Sequence, residues 1–99
     1  MAQIVIPEAN IRQFCIHNQI KRLALFGSVL SDNFRSDSDI DVIMEFISEK
    51  RAGMLTMARI ERELSQIFEG RKIDLRTPAE LSHYFREDIL LNAEVCYDN

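Results

Sequence analysis

Gly27-Ser28, Asp39-Ile40-Asp41 and Asp74 are the residues of this chain whose types and spacing suit chemistry on a phosphate. A glycine directly after an apolar run lets backbone come close to a ligand, and a serine beside it offers a hydroxyl and free backbone N–H groups to an anion. Ten residues separate Ser28 from Asp39. If Asp39 and Asp41 share a strand, their side chains point to one face, roughly 6.5–7 Å apart along the backbone. Two such carboxylates repel each other and would repel a nucleoside triphosphate unless divalent ions lie between them. Mg²⁺ suits that place, because it takes a few carboxylates and fills its other positions with phosphate oxygens and water.

The elements that must position these residues can be read from hydrophobic patterning. A helix is expected from Pro7 to Asn18, with proline and Glu8 in its first turn and Ile11, Phe14 and Cys15 on one face. A first strand follows near Leu23 to Phe26, then a short helix at Ser28 to Asp32 whose N-terminus would receive the phosphate. A second strand spans Asp39 to Phe46, and Ser48 to Gly53 reads as a loop. Met57, Ile60, Leu64, Ile67 and Phe68 fall at helical spacing from about Thr56, with Gly70 as the stop. Lys72 to Arg76 gives a third strand with Ile73 and Leu75 on one side and Asp74 on the other. Thr77-Pro78-Ala79-Glu80 is a capping box, so helix is expected from Pro78 to about Ala93, broken near Ser82-His83. Val95 to Tyr97 would add a short edge strand. Leu81, Phe85 and Ile89 at helical spacing are expected in the core, leaving Tyr84 and Leu91 exposed. The sum is one α+β domain over residues 1–99, with helices covering a mixed sheet and the carboxylates at one edge.

Each candidate has a plainer reading. Asp39 and Asp41 sit beside Asp32, Ser36, Asp37 and Ser38, a solvated polar loop in any case. An EF-hand is a sharper rival, since Asp37, Asp39 and Asp41 match its first, third and fifth positions. It fails at Val42, where the loop needs glycine, and at Ser48, where it needs glutamate. Asp74 has a salt bridge to Lys72 or Arg76 as its alternative, and an acid on a central strand is costly without a strong partner. Arg35 would either approach the triphosphate or pair with Asp32 or Asp37 on the surface. His17 and His83 have no partner cluster and read as structural or surface histidines.

Composition narrows the function classes. Apolar residues at 46% and charged residues at 28% suit a globular domain. The net charge of -4 gives no footprint for long nucleic acid. Nine arginines against three lysines suit anion or carboxylate pairing. Cys15 and Cys96 lack a metal-ligand spacing, and no secretory signal precedes them, so reduced thiols in a cytoplasm are expected. No eighteen apolar residues occur together, which excludes a helical membrane span.

The pattern Gly27-Ser28, ten residues, Asp39-x-Asp41, flanked by apolar strands and followed by "RKIDLRTPAEL", resembles the polymerase-beta-type nucleotidyltransferase superfamily. The similarity runs from about Ile20 to Tyr97 and is nearest its smallest members, the minimal nucleotidyltransferases that act as antitoxins beside HEPN-domain ribonuclease toxins. The resemblance implies a palm-like fold and ATP as substrate. It also implies that Asp39, Asp41 and Asp74 are catalytic carboxylates holding two Mg²⁺ ions, with Gly27, Ser28 and Arg35 gripping the nucleotide. It implies AMP transfer to a tyrosine of a HEPN toxin. Two other readings stand beside it: an antitoxin that only masks its toxin, and a transferase acting on a small molecule, for which 99 residues leave little room. Relatives usually carry an arginine four residues after the glycine, where this chain has Ser31; that departure favours weak turnover or masking. The sequence leaves the acceptor, the base preference and homo-oligomerisation open.

Overall fold

In the computed structural model, residues 2–47, 53–82 and 84–99 are described. The expected Ser48–Gly53 loop, apart from Gly53, and His83 lie outside them. The elements run α1 (Glu8–His17), β1 (Ile20–Phe26), a single 3-10 turn (Gly27–Leu30), β2 (Ile40–Phe46), α2 (Met54–Ile67), β3 (Ile73–Arg76), a second 3-10 turn (Pro78–Glu80), α3 (Arg86–Asn92) and β4 (Glu94–Asp98). The strands form one sheet in the order β3-β2-β1-β4. Both β1–β2 and β1–β4 pair antiparallel, whereas β2 and β3 are parallel. Parallel neighbours need a crossover, and α2 supplies it.

One face of the sheet carries the core. Ile20, Leu23 and Leu25 of β1 and Ile40, Val42 and Met44 of β2 join Ile11, Phe14 and Cys15 of α1 and Ile60 and Leu64 of α2 in a single buried cluster. The helical face foreseen for α1 is therefore the face it buries. The alternate residues of the strands look the other way. There Ala24 and Ile43, partners in register, are buried, and Arg22 pairs with Glu45 at 3.8 Å and Asp98 at 3.3 Å. Asp41 belongs to this second face, directly across from Phe26.

Four local expectations are corrected. The short helix after Gly27 is one 3-10 turn, anchored by buried Val29, whose carbonyl accepts from Gln3 N–H at 2.8 Å. The α2 stop is carried first by Glu69, which takes the left-handed conformation (φ 61°), with Gly70 (φ 84°) following. The bonds Glu69 N–H to Gln66 carbonyl (3.2 Å) and Gly70 N–H to Ser65 carbonyl (2.8 Å) make a Schellman motif. After Thr77 the capping box forms, with the Glu80 carboxylate accepting from Thr77 N–H at 3.3 Å and its hydroxyl at 3.1 Å, but only a 3-10 turn follows and α3 begins at Arg86. Finally, α3 buries none of its residues. Phe85 is 61% exposed, so Leu81, Phe85 and Ile89 are not the core stripe that their spacing suggested, while Tyr84 (86%) and Leu91 (83%) are exposed as expected.

Candidate active site

The site is built by strand register. In the parallel pair, Asp41 lies opposite Asp74, as Ile40 lies opposite Ile73. Both acids therefore project from the face away from the helical core. Asp39 immediately precedes β2, where Ile40 N–H is tied to the Lys72 carbonyl at 2.9 Å. Gly27, directly after β1, adopts φ 75°, a conformation that L side chains rarely take. A Cβ built there would collide with Oδ2 of Asp41. Gly27 thus gives the Asp41 carboxylate a bare backbone wall.

The electrostatics of the acids are uneven. Asp41 is half-buried, and its carboxyl is pushed above the ordinary carboxylate range, first by desolvation and then by the neighbouring charges of Asp74 and Asp39. A hydrogen bond between the Asp41 and Asp74 carboxyls adds to the rise, and only the Arg76 guanidinium opposes it. Such a bond needs a proton between two acids that would otherwise repel. Arg76 Nε sits 3.2 Å from Asp74 Oδ1, and Lys72 Nζ stands 3.9 Å from Asp39 Oδ2. The plainer reading of Asp74, a salt bridge to Arg76, is thus present alongside the Asp41 contact. The premise that Asp74 occupies a central strand is corrected, since β3 is an edge strand and the Asp74 side chain is 40% exposed.

The loop from Ser31 to Asp39 is stitched to itself. Asn33 N–H donates to the Ser31 hydroxyl (2.9 Å), Phe34 N–H to the Ser31 carbonyl (3.2 Å), Ser38 N–H to the Arg35 carbonyl (3.1 Å) and Arg35 N–H to the Ser38 hydroxyl (3.0 Å). Ser31, where the family resemblance led us to expect an arginine, is a turn residue. The Arg35 side chain is exposed on this loop, and Ser28 is partly buried in the turn beside Gly27. Sequence reasoning gave no role to Arg71. Its guanidinium lies 4.4 Å from the centroid of the Phe34 ring and donates to the carbonyls of Arg35 (2.7 Å) and Ser38 (3.0 Å). The only signal was its place just before β3, which does not foretell a contact across the sheet edge.

The donor set suits a hard divalent cation, because three carboxylates gather negative charge that Arg76 and Lys72 only partly offset. Among the described residues, however, no three acidic, histidine or cysteine side chains are grouped so as to hold one metal ion. Asp41 and Asp74 are the part that already meets. No helix of the described residues is long and apolar enough to cross a membrane.

A glycine turn against an Asp that faces a second Asp on the neighbouring strand of a mixed sheet is the arrangement expected of a palm-like nucleotidyl-transfer domain. The chain belongs to the family described as polymerase beta, nucleotidyltransferase, which matches residues 9–99. A Methanocaldococcus jannaschii protein assigned as a protein adenylyltransferase is 32% identical over 76 residues, covering 77% of each chain. A solved structure assigned as a minimal nucleotidyltransferase superposes with a TM-score of 0.71 at 29% identity, over 87% of this chain and 85% of that one. The MNT antitoxin in a complex with tri-AMPylated Shewanella oneidensis HEPN toxin shares the fold, at TM-score 0.63 and 16% identity over 93% of this chain and 70% of that one.

Proposed function

We propose that this chain is a protein adenylyltransferase that moves AMP from ATP to a tyrosine of a HEPN-type toxin and so acts as its antitoxin. The observation that carries the reading is the in-register pair Asp41–Asp74, with the Asp41 carboxylate set against Gly27. The kinship with a protein assigned as an adenylyltransferase, and the shared fold with an antitoxin bound to an AMPylated toxin, support protein as the acceptor class. Asp39, Asp41 and Asp74 would hold Mg²⁺, which when bound neutralises the triphosphate and polarises the α-phosphorus. Gly27 offers open backbone and Ser28 a hydroxyl to the outer phosphates, and Arg35 reaches them from the loop. The tyrosine oxygen attacks the α-phosphorus in line, the bond to pyrophosphate breaks, and the phenol proton passes to Asp74. Arg76, 3.2 Å from Asp74 Oδ1, holds that carboxylate in place beside Asp41.

A second reading, masking without catalysis, draws on Ser31 serving as a turn residue and on the three acids not being grouped for one metal ion among the described residues. Intact-mass measurement of the co-expressed pair separates the two. Adenylylation predicts a toxin heavier by one AMP or a multiple, and loss of that increment with Asp39→Ala. An unmodified toxin in a tight, inactive complex overturns the enzyme and leaves the mask.

A further inference from the structure

We infer that Arg71 is a positioning residue, the clamp that fixes the loop delivering Arg35 and Asp39 to the nucleotide; this rests on the nucleotidyl-transfer reading. The loop leaves the 3-10 turn at Leu30 and must place Asp39 one residue ahead of β2. Its own bonds are local turns between Ser31 and Ser38, while Phe34 packs from it against the core and Asp39 at its end stands 3.9 Å from Lys72 Nζ. Arg71 adds the hydrogen bonds that tie the middle of the loop to the segment just ahead of β3. One nitrogen, Nη2, donates to the carbonyls of both Arg35 and Ser38, at 2.7 and 3.0 Å, while the guanidinium plane covers Phe34 at 4.4 Å. A planar cation over an aromatic face adds attraction that a neutral side chain lacks.

The anchor at the other end is equally specific. The Arg71 carbonyl accepts from the Ser65 hydroxyl at 2.6 Å, which ties the residue to the last turn of α2. Lys72 follows, its carbonyl bonded to Ile40 N–H, and Asp74 lies two residues further along. One residue thus connects the end of α2, the β3 strand that bears Asp74, and the loop that bears Arg35 and Asp39. Nε of Arg71 is buried with no hydrogen-bond partner. That cost is tolerated where the rest of the group makes strong bonds to two carbonyls. Arg71 acts through the loop, by setting where Arg35 and Asp39 stand.

The test compares wild type, Arg71→Ala, Arg71→Lys and Phe34→Leu by amide exchange of residues 31–39 and by steady-state nucleotidyl transfer. Arg71→Ala is expected to speed exchange in that loop about tenfold, with the core strands unchanged. It should also raise the nucleotide KM about tenfold, because a small misplacement of binding groups is costly. Arg71→Lys, which keeps donors for the two carbonyls but not the plane over Phe34, should fall between, and Phe34→Leu should loosen the loop less than Arg71→Ala. Unchanged loop exchange in Arg71→Ala overturns the clamp, even if activity is lost, since Arg71 would then act on substrate directly. Uniformly faster exchange with a lower Tm and unchanged KM overturns it in favour of general stability. If wild type transfers nothing, the exchange arm still decides the clamp, and only the nucleotidyl-transfer reading fails.

Discussion

Asp41 is held in an environment that opposes its own charge, a conflict expected of a group that works with a cation. Because its folded pKa is raised, protonation favours the native state. That contribution is full below the ordinary value of 3.8 and is lost as pH rises through the raised one. At neutral pH, Asp41→Asn should therefore raise Tm by a few degrees while abolishing transfer, and thermal melts should show the gain shrinking toward pH 4. A lower Tm at pH 7 would mean that the carboxylate is compensated after all. Gly27→Ala should do the reverse. A left-handed Cβ costs roughly 1–2 kcal/mol by itself, and here it also displaces the Asp41 carboxylate, so both denaturation midpoint and nucleotide binding should fall. These two positions were legible in the sequence because glycine and paired aspartates announce their backbone and charge requirements locally. Arg71 was not, because its partners are carbonyls 36 and 33 residues away, and carbonyls have no sequence signal.

Elements with strong periodicity were read well, and elements that depend on neighbours were not. α1 and β2 fell within a residue of where the apolar pattern placed them, whereas β1 begins at Ile20, three residues ahead of the expected Leu23. The capping box at Thr77 correctly marked a helical start, yet no α-helix propagated from it, since capping satisfies end groups and only a buried face sustains the turns behind them. The stripe Leu81, Phe85 and Ile89 had helical spacing but no sheet surface to meet, and periodicity alone cannot tell a core face from an exposed one. The α2 terminus shows a finer limit: glycine at 70 was a good stop signal, but the left-handed residue is Glu69. Replacing Glu69 with glycine should relieve that backbone cost, which is partly offset by glycine's greater unfolded freedom. Urea unfolding should show a gain of a few tenths to about 1 kcal/mol. Leu64→Ala, at a fully buried position where α2 meets the sheet, should instead cost about 2–5 kcal/mol.

The whole molecule, with a radius of gyration of 12.7 Å, has the roughly 13 Å expected of a compact chain this long. Its free thiols report on that compactness. Cys15 is fully buried on the core-facing side of α1, and Cys96 lies partly buried on the edge strand β4. Burial pushes the Cys15 thiol up to about 12, with Cys96 adding to the rise. Burial pushes Cys96 up to about 11, with Glu94 and Glu8 adding and a backbone hydrogen bond from Leu25 opposing. Both folded values lie above the ordinary 9.0, so the neutral thiols favour the native state. That contribution is whole below pH 9 and is lost as pH rises through about 11 and 12. Melts taken from pH 8 to pH 10.5 should show a steeper fall in Tm for wild type than for Cys15→Ala, even though the variant starts lower because it leaves a small void. Parallel slopes would show that other groups carry the alkaline loss. Alkylation by iodoacetamide provides the kinetic counterpart. Cys96 should react first, and Cys15 should react only at the rate at which α1 lifts from the sheet, so that destabilising the core with Leu64→Ala speeds Cys15 far more than Cys96.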